Sequence, residues 1–123
     1  MPHLLVIDDD NEFRPMLRQT LEQMGHTVAE ARDGLQGLAE HDRRRADVIF
    51  TDLIMPEMEG IETITELLRR TPGVRIVAMS GGGRSNATGY LRVAEIIGAH
   101  HVLAKPFTQE ELEVALTRVL PAD

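Results

Sequence analysis

Short apolar runs alternate with amphipathic stretches along this chain of 123 residues, and this alternation constrains the fold more than any other feature. Continuous runs rich in Val and Ile are typical of strands that are buried on both faces of a parallel sheet. The runs predict strands near residues 3–8, 27–31, 47–51, 75–79 and 101–104. Strands that alternate with helices predict one parallel sheet with helices on both faces.

The stretches between the runs carry apolar residues at helical spacing. They predict five helices, and the apolar residues that mark them lie within 13–24, 35–39, 61–68, 90–97 and 112–120. Gly25 is suited to end the first helix, while Thr108 and Glu111 have the spacing of a capping box at the start of the fifth. Because crossovers between parallel strands are right-handed, few topologies remain. The predicted fold is α/β: a doubly wound (βα)5 unit with a five-stranded parallel sheet in a three-layer α/β/α arrangement.

Composition narrows the possible functions. The net charge of −7 argues against direct binding to nucleic acid, which requires a basic face. There is no cysteine, which excludes disulfides and thiolate chemistry. Because no apolar run reaches the roughly 18–20 residues of a membrane span and no signal peptide precedes the first strand, we expect a cytoplasmic protein. The length predicts a single domain over residues 1–123, with no output domain.

Charged and hydroxyl side chains stand where the predicted strands end. Asp8 and Asp9 follow the first run, Asp52 closes the third, Ser80 follows the fourth and Lys105 follows the fifth. The carboxyl ends of parallel strands converge on one edge of a sheet, where functional sites form. Three carboxylates gathered there repel one another and require a cation, and Mg²⁺ prefers such oxygen ligands.

This set of residues suits transfer of a phosphoryl group to an aspartate. Asp52 is the candidate nucleophile, since a carboxylate can form an acyl phosphate. Lys105 would supply a second cation, the Ser80 hydroxyl would hydrogen-bond a phosphoryl oxygen, and the Gly81 backbone N–H would add a donor. A single aspartate is more often a helix cap or a loop residue. The functional interpretation therefore depends on the whole set.

Four segments together resemble the receiver domain of two-component response regulators. They are Asp8-Asp9, the segment from Asp52 to Gly60, Ser80-Gly81 and Lys105-Pro106-Phe107. The resemblance covers the whole chain in order and implies a CheY-like, flavodoxin-type fold. It also implies that Asp52 is phosphorylated from a phosphohistidine on a sensor histidine kinase or a histidine phosphotransfer protein. Such a protein catalyses its own phosphorylation and dephosphorylation without being a conventional enzyme, and it signals by a conformational change to a partner that the sequence does not identify.

The resemblance also implies roles for single residues. Asp9, Asp52 and the backbone carbonyl of Ile54 would bind Mg²⁺ directly, with Asp8 assisting. Ser80 and Lys105 would contact the phosphoryl group, and the bond between Lys105 and Pro106 would be cis. The surface expected to change comprises the fourth helix, the fifth strand and the fifth helix.

The chain departs from the receiver pattern at two places. Val102 stands three residues before Lys105, where receivers commonly carry Tyr or Phe, so an aromatic switch cannot operate through this position. A glycine-rich segment, 81–86, follows the fourth strand. Because glycine permits many backbone conformations, we expect this segment and the start of the fourth helix to be the moving part.

Three other functions compete with a receiver. A small aspartate-dependent phosphatase would need a second acid two residues after the nucleophile, where this chain has Ile54. A nucleotide- or flavin-binding module would need a phosphate-binding loop after the first strand, where Asp8-Asp9-Asp10 would repel an anion. A pseudo-receiver, which serves only as an interaction surface, would not require the complete acidic and lysine set.

Two local patterns leave alternatives open. Phe13 and Met16, on the outer side of the first helix, form either ordinary packing or a docking patch for a histidine-bearing helix bundle. His100-His101 is not expected to bind a metal, because adjacent strand residues point to opposite faces.

Overall fold

The computed structural model of the protein describes residues 2–53, 60–81 and 87–120, with the backbone alone at 87–91. Strands and helices alternate through these residues as the sequence predicts. Their bounds are β1 His3–Ile7, α1 Phe13–Gln23, β2 Thr27–Ala31, α2 Gly34–Arg43, β3 Val48–Asp52, α3 Gly60–Arg70, β4 Arg75–Gly81, α4 Ala87–Ile97, β5 His101–Lys105 and α5 Gln109–Val119.

All five strands belong to one parallel sheet in the order β2-β1-β3-β4-β5. The order reverses direction between β1 and β3, which is the arrangement of a doubly wound flavodoxin-type fold. The predicted fold class is therefore confirmed. β4 runs two residues further than predicted, so Ser80 and Gly81 belong to the strand itself.

The core lies in two layers, one on each face of the sheet. Successive residues of β1 alternate between them: Leu5 and Ile7 pack in one layer, and Leu4 and Val6 in the other. The first layer contains residues of α2, α3 and α4, and the second contains residues of α1 and α5. Because both faces are covered, the strands read as continuous apolar runs rather than as an alternating pattern.

Local signals fix the ends of the helices. Thr108 and Glu111 form the predicted capping box at the start of α5. Gly25 follows α1 with a φ of +99°, a conformation that glycine adopts at low cost. Asp10 accepts hydrogen bonds from the backbone N–H groups of Glu12 and Phe13, so it stabilises the start of α1. Within the described residues, no helix is both long enough and apolar enough to cross a bilayer.

Candidate functional site

Strand register brings the predicted site residues to one edge of the sheet. Ile7 of β1 pairs with Thr51 of β3, so both strands end at the same level and Asp8 lies beside Asp52. β4 and β5 pair up to Gly81 and Lys105, which places Lys105 at this edge as well. These side chains are close because their strands are neighbours, although they are far apart in the sequence.

Three carboxylates form a tight cluster at this edge. One oxygen each from Asp8, Asp9 and Asp52 lies within 4.8 Å of the other two. The side chains of Asp8 and Asp52 are buried, whereas Asp9 is exposed. Lys105 is a cation close to two of these acids: its Nζ lies 2.5 Å from Oδ2 of Asp8 and 3.7 Å from Oδ1 of Asp52.

The cluster has too little positive charge for its acids. Burial, helped by the charges of Asp8 and Asp9, raises the pKa of Asp52 to about 7. Lys105 and a hydrogen bond from the backbone N–H of Leu53 lower this pKa, but they do not offset burial. A group that loses hydration and faces like charges is stabilised by a bound cation. The all-oxygen donor set therefore fits a hard divalent cation.

Ser80 supplies an unused donor next to the cluster. Its side chain is fully buried, and its Oγ has no hydrogen-bond partner among the described residues. A buried hydroxyl without a partner is unfavourable, so such groups call for an explanation. A ligand that brings acceptor oxygens to this edge of the sheet would satisfy it.

Two aromatic side chains lie beside the lysine. The Nζ of Lys105 sits 4.3 Å from the centroid of the Phe13 ring, and the Phe107 ring meets Phe13 edge-on with centroids 5.7 Å apart. The sequence offered packing or docking as roles for Phe13 and did not indicate this contact. Only the convergence of α1 with the end of β5 brings the ring to Lys105.

Other predicted features have mixed outcomes. The bond between Lys105 and Pro106 is cis, as the resemblance implied. Among the described residues, Asp8, Asp9 and Asp52 are the group of side chains that could hold a metal ion, and neither His100 nor His101 belongs to it. The carbonyl of Ile54 and segment 82–86 lie outside the described residues, so the roles predicted for them stay predictions.

Comparison with known proteins decides the family. The family model described as "Response regulator receiver domain" matches residues 4–117. This chain belongs to that family. The chemotaxis protein CheY of Thermotoga maritima is 31% identical, with 94% of this chain and 95% of the relative covered. Sporulation initiation phosphotransferase F of Bacillus subtilis is 27% identical, with 96% and 93% covered.

Solved structures agree with this assignment. A response regulator receiver domain protein from Clostridium thermocellum superposes with a TM-score of 0.88 at 27% identity, over 97% of this chain and 94% of that one. Chemotaxis protein CheY4 of Vibrio cholerae gives a TM-score of 0.85 at 32% identity, over 98% and 99%. The receiver domain is thus a two-component signalling module, and a phosphatase or a nucleotide-binding module is not favoured. Receiver domains act with histidine kinases or phosphotransfer proteins and with downstream targets.

Proposed function

We propose that this receiver accepts a phosphoryl group on Asp52 from a phosphohistidine and signals its presence to a partner protein. The observation that carries the proposal is the charge balance around Asp52. A buried carboxylate with a pKa raised to about 7 lies beside two further acids and one lysine. An added cation would stabilise such a site and would neutralise the negative charge of a phosphoryl group transferred to the carboxylate.

In the proposed transfer, a carboxylate oxygen of Asp52 attacks the phosphorus of the phosphohistidine. The P–N bond breaks, the imidazole nitrogen leaves with the electron pair, and an acyl phosphate forms on Asp52. Lys105 is placed to neutralise charge on the transferred group, since its Nζ is 3.7 Å from Oδ1 of Asp52. The Ser80 hydroxyl, which has no partner in the described part of the chain, would donate to a phosphoryl oxygen, and the Gly81 backbone N–H would be a further donor.

Asp8, Asp9 and Asp52 would hold the divalent cation, for which Mg²⁺ is the natural candidate, together with the backbone carbonyl of Ile54. When bound, Mg²⁺ would neutralise the carboxylates and polarise a phosphoryl oxygen. Asp8 already binds Lys105, so it connects the lysine to the cation site. Ile54 cannot act as a general acid or base, which favours a long-lived acyl phosphate over rapid hydrolysis.

Phosphorylation in vitro tests this proposal. The protein is incubated with Mg²⁺ and acetyl phosphate, and intact mass is followed for one added phosphoryl group. We expect labelling of the wild type, none in Asp52→Asn and none in excess EDTA. Asp42→Asn removes an exposed aspartate of α2 and should label normally. Labelling that persists in Asp52→Asn would contradict the proposed acceptor.

A further inference from the structure

We propose that Phe13 is a positioning residue for Lys105 in the phosphoryl-transfer site. Its ring holds the lysine ammonium beside Asp52 through a cation–π contact. The inference rests on the proposed function, because it assigns Phe13 a role in the reaction that Lys105 assists. It adds a residue of α1 to a site otherwise built from the ends of strands.

The surroundings of Lys105 are unusual for a lysine. The side chain is only 15% exposed, although lysine is ordinarily a solvated surface residue. Three groups surround its Nζ: Oδ2 of Asp8 at 2.5 Å, Oδ1 of Asp52 at 3.7 Å and the Phe13 ring centroid at 4.3 Å. The distance to the ring is well inside the roughly 6 Å limit for cation–π attraction, which is stronger when the cation is desolvated.

An aromatic ring can hold the Lys105 ammonium without the drawbacks of a further acid. Asp8 holds Lys105 more closely than Asp52 does, so Asp8 alone would draw the ammonium away from the proposed acceptor. A phenyl face attracts the ammonium but carries no net charge, does not titrate and is not a ligand for a hard cation. The ring therefore still attracts the ammonium when Asp8 binds another group, and it leaves the carboxylates free to bind a metal.

Phe13 is held by one contact of its backbone and one contact of its ring. The backbone N–H of Phe13 donates to Oδ1 of Asp10 at 3.0 Å, which fixes the start of α1. The ring of Phe107 meets the Phe13 ring edge-on at an interplanar angle of 84°, a favourable aromatic arrangement. Phe107 follows Lys105-Pro106, so the same segment carries both the lysine and the support for the ring.

The test compares three variants of the whole protein. Phe13→Leu keeps an apolar side chain but removes the π face. Phe13→Tyr keeps the ring. Met16→Leu is a matched control, because Met16 is exposed and lines the same surface groove as Phe13 and Phe107. Thermal unfolding of each variant confirms that it is folded before its activity is compared.

Two measurements are made on each variant. The first is the rate of labelling of Asp52 by acetyl phosphate with Mg²⁺. We expect Phe13→Leu to be about three- to tenfold slower, which is the size of one cation–π contact in a partly desolvated site. The second is the NMR shift of the Lys105 ε-methylene in metal-free protein. The ring current should displace this signal in the wild type and in Phe13→Tyr, but not in Phe13→Leu.

Each outcome decides the inference. Wild-type rates in Phe13→Leu would overturn it, and so would slow labelling with an unchanged Lys105 signal, because the role would then be structural. Equal slowing in Phe13→Tyr or in Met16→Leu would also overturn it. A wild type that never takes up a label would instead refute the proposed function. Failure of the proposed function can be told apart from failure of this inference, because the Lys105 signal reports the contact with Phe13 without any reaction.

Discussion

At the scale of single residues, Asp52 couples the proposed chemistry to stability. Its carboxyl group is buried, and its pKa is raised from the ordinary 3.8 to about 7, so folding favours the protonated form. A raised pKa contributes stability that is fully present below pH ~4 and is lost as the pH rises through about 7. At neutral pH the metal-free protein is therefore less stable because of the residue proposed to carry its function.

Asp52→Asn should remove this pH dependence, because an amide does not titrate. In metal-free buffer, we expect the difference in unfolding free energy between the variant and the wild type to shift by about 2–3 kcal/mol in favour of the variant from pH 5 to pH 8. Saturating Mg²⁺ should narrow this gap between the two proteins at pH 8, since a cation favours ionised Asp52. Urea unfolding at both pH values provides the measurement. A gap that is the same at pH 5 and pH 8 would show that Asp52 titrates as an ordinary carboxyl.

The sequence predicted this cluster because strand ends alone decide where Asp8, Asp52 and Lys105 lie. It did not predict the contact of Phe13 with Lys105, since the direction of a helical side chain toward a neighbouring element depends on the packing of the whole layer. Nor could it show that the Ser80 hydroxyl lacks a partner among the described residues, which depends on every surrounding atom.

At the scale of elements, the start of α3 packs directly against the end of β3. The backbone N–H of Gly60 donates to the carbonyl of Leu53 at 3.0 Å. A Cβ at position 60 would overlap the backbone oxygen of Asp52 and the Cα of Leu53. Backbone atoms cannot move aside by changing rotamer, so this contact requires glycine.

Gly60→Ala should therefore destabilise the protein by about 1–3 kcal/mol, as overpacking does in a close-packed interior. The slight gain in helix propensity from alanine cannot offset the clash. Because the clash falls on the backbone of Asp52, labelling by acetyl phosphate should also slow. Gly73→Ala is the control: apart from Gly73 and its chain neighbours, no heavy atom of the described residues lies within 4 Å of its added Cβ, and a change of about 0.5 kcal/mol or less is expected. Equal stability of the two variants in urea unfolding would contradict the packing argument.

The bounds of the elements show what the apolar pattern can and cannot reveal. β1 was predicted within one residue because its apolar run ends sharply at Asp8. The apolar residues that mark α2 end at Ala39, whereas the helix runs to Arg43, because its last turn from Glu40 to Arg43 carries polar and charged residues and no apolar signal. The buried member of that turn is His41, whose environment depends on tertiary contacts.

At the scale of the whole molecule, a change in pH has opposite effects on stability at the two ends of the sheet. The acids cluster where the strands end, whereas the histidines lie where strands begin or where helices lead into them, and four of the five are His3, His41, His100 and His101. The pKa of each of these four is lowered, with burial as the largest cause. Folding thus favours the neutral forms of these histidines. A fall in pH should therefore destabilise the end of the sheet where they lie, and it should stabilise the opposite end, where folding favours protonated Asp52.

His41 shows why its neutral form is required. The backbone N–H of Ala46 donates to its Nδ1 at 3.1 Å, so Nδ1 is unprotonated and Nε2 carries the hydrogen. Nε2 lies 3.1 Å from Oγ1 of Thr71 and donates to it, which ties α2 to the end of α3. Protonation of Nδ1 would break the first bond, and burial and the nearby charge of Arg45 oppose it more than Asp42 favours it.

His41→Gln should reveal this contribution when it is made in an Asp52→Asn background, where the opposing titration is absent. A lowered histidine pKa contributes stability that is present above about pH 6.5 and is lost as the pH falls toward the folded pKa. The Asp52→Asn protein should therefore lose stability between pH 7.5 and pH 5.5, by at most about 1.4 kcal/mol per pH unit for each histidine. The double variant should be less stable at pH 7.5 because it lacks the His41 ring bonds, yet it should lose less on acidification. Urea unfolding at the two pH values measures both slopes, and parallel slopes would mean that His41 titrates alike in the folded and unfolded chains.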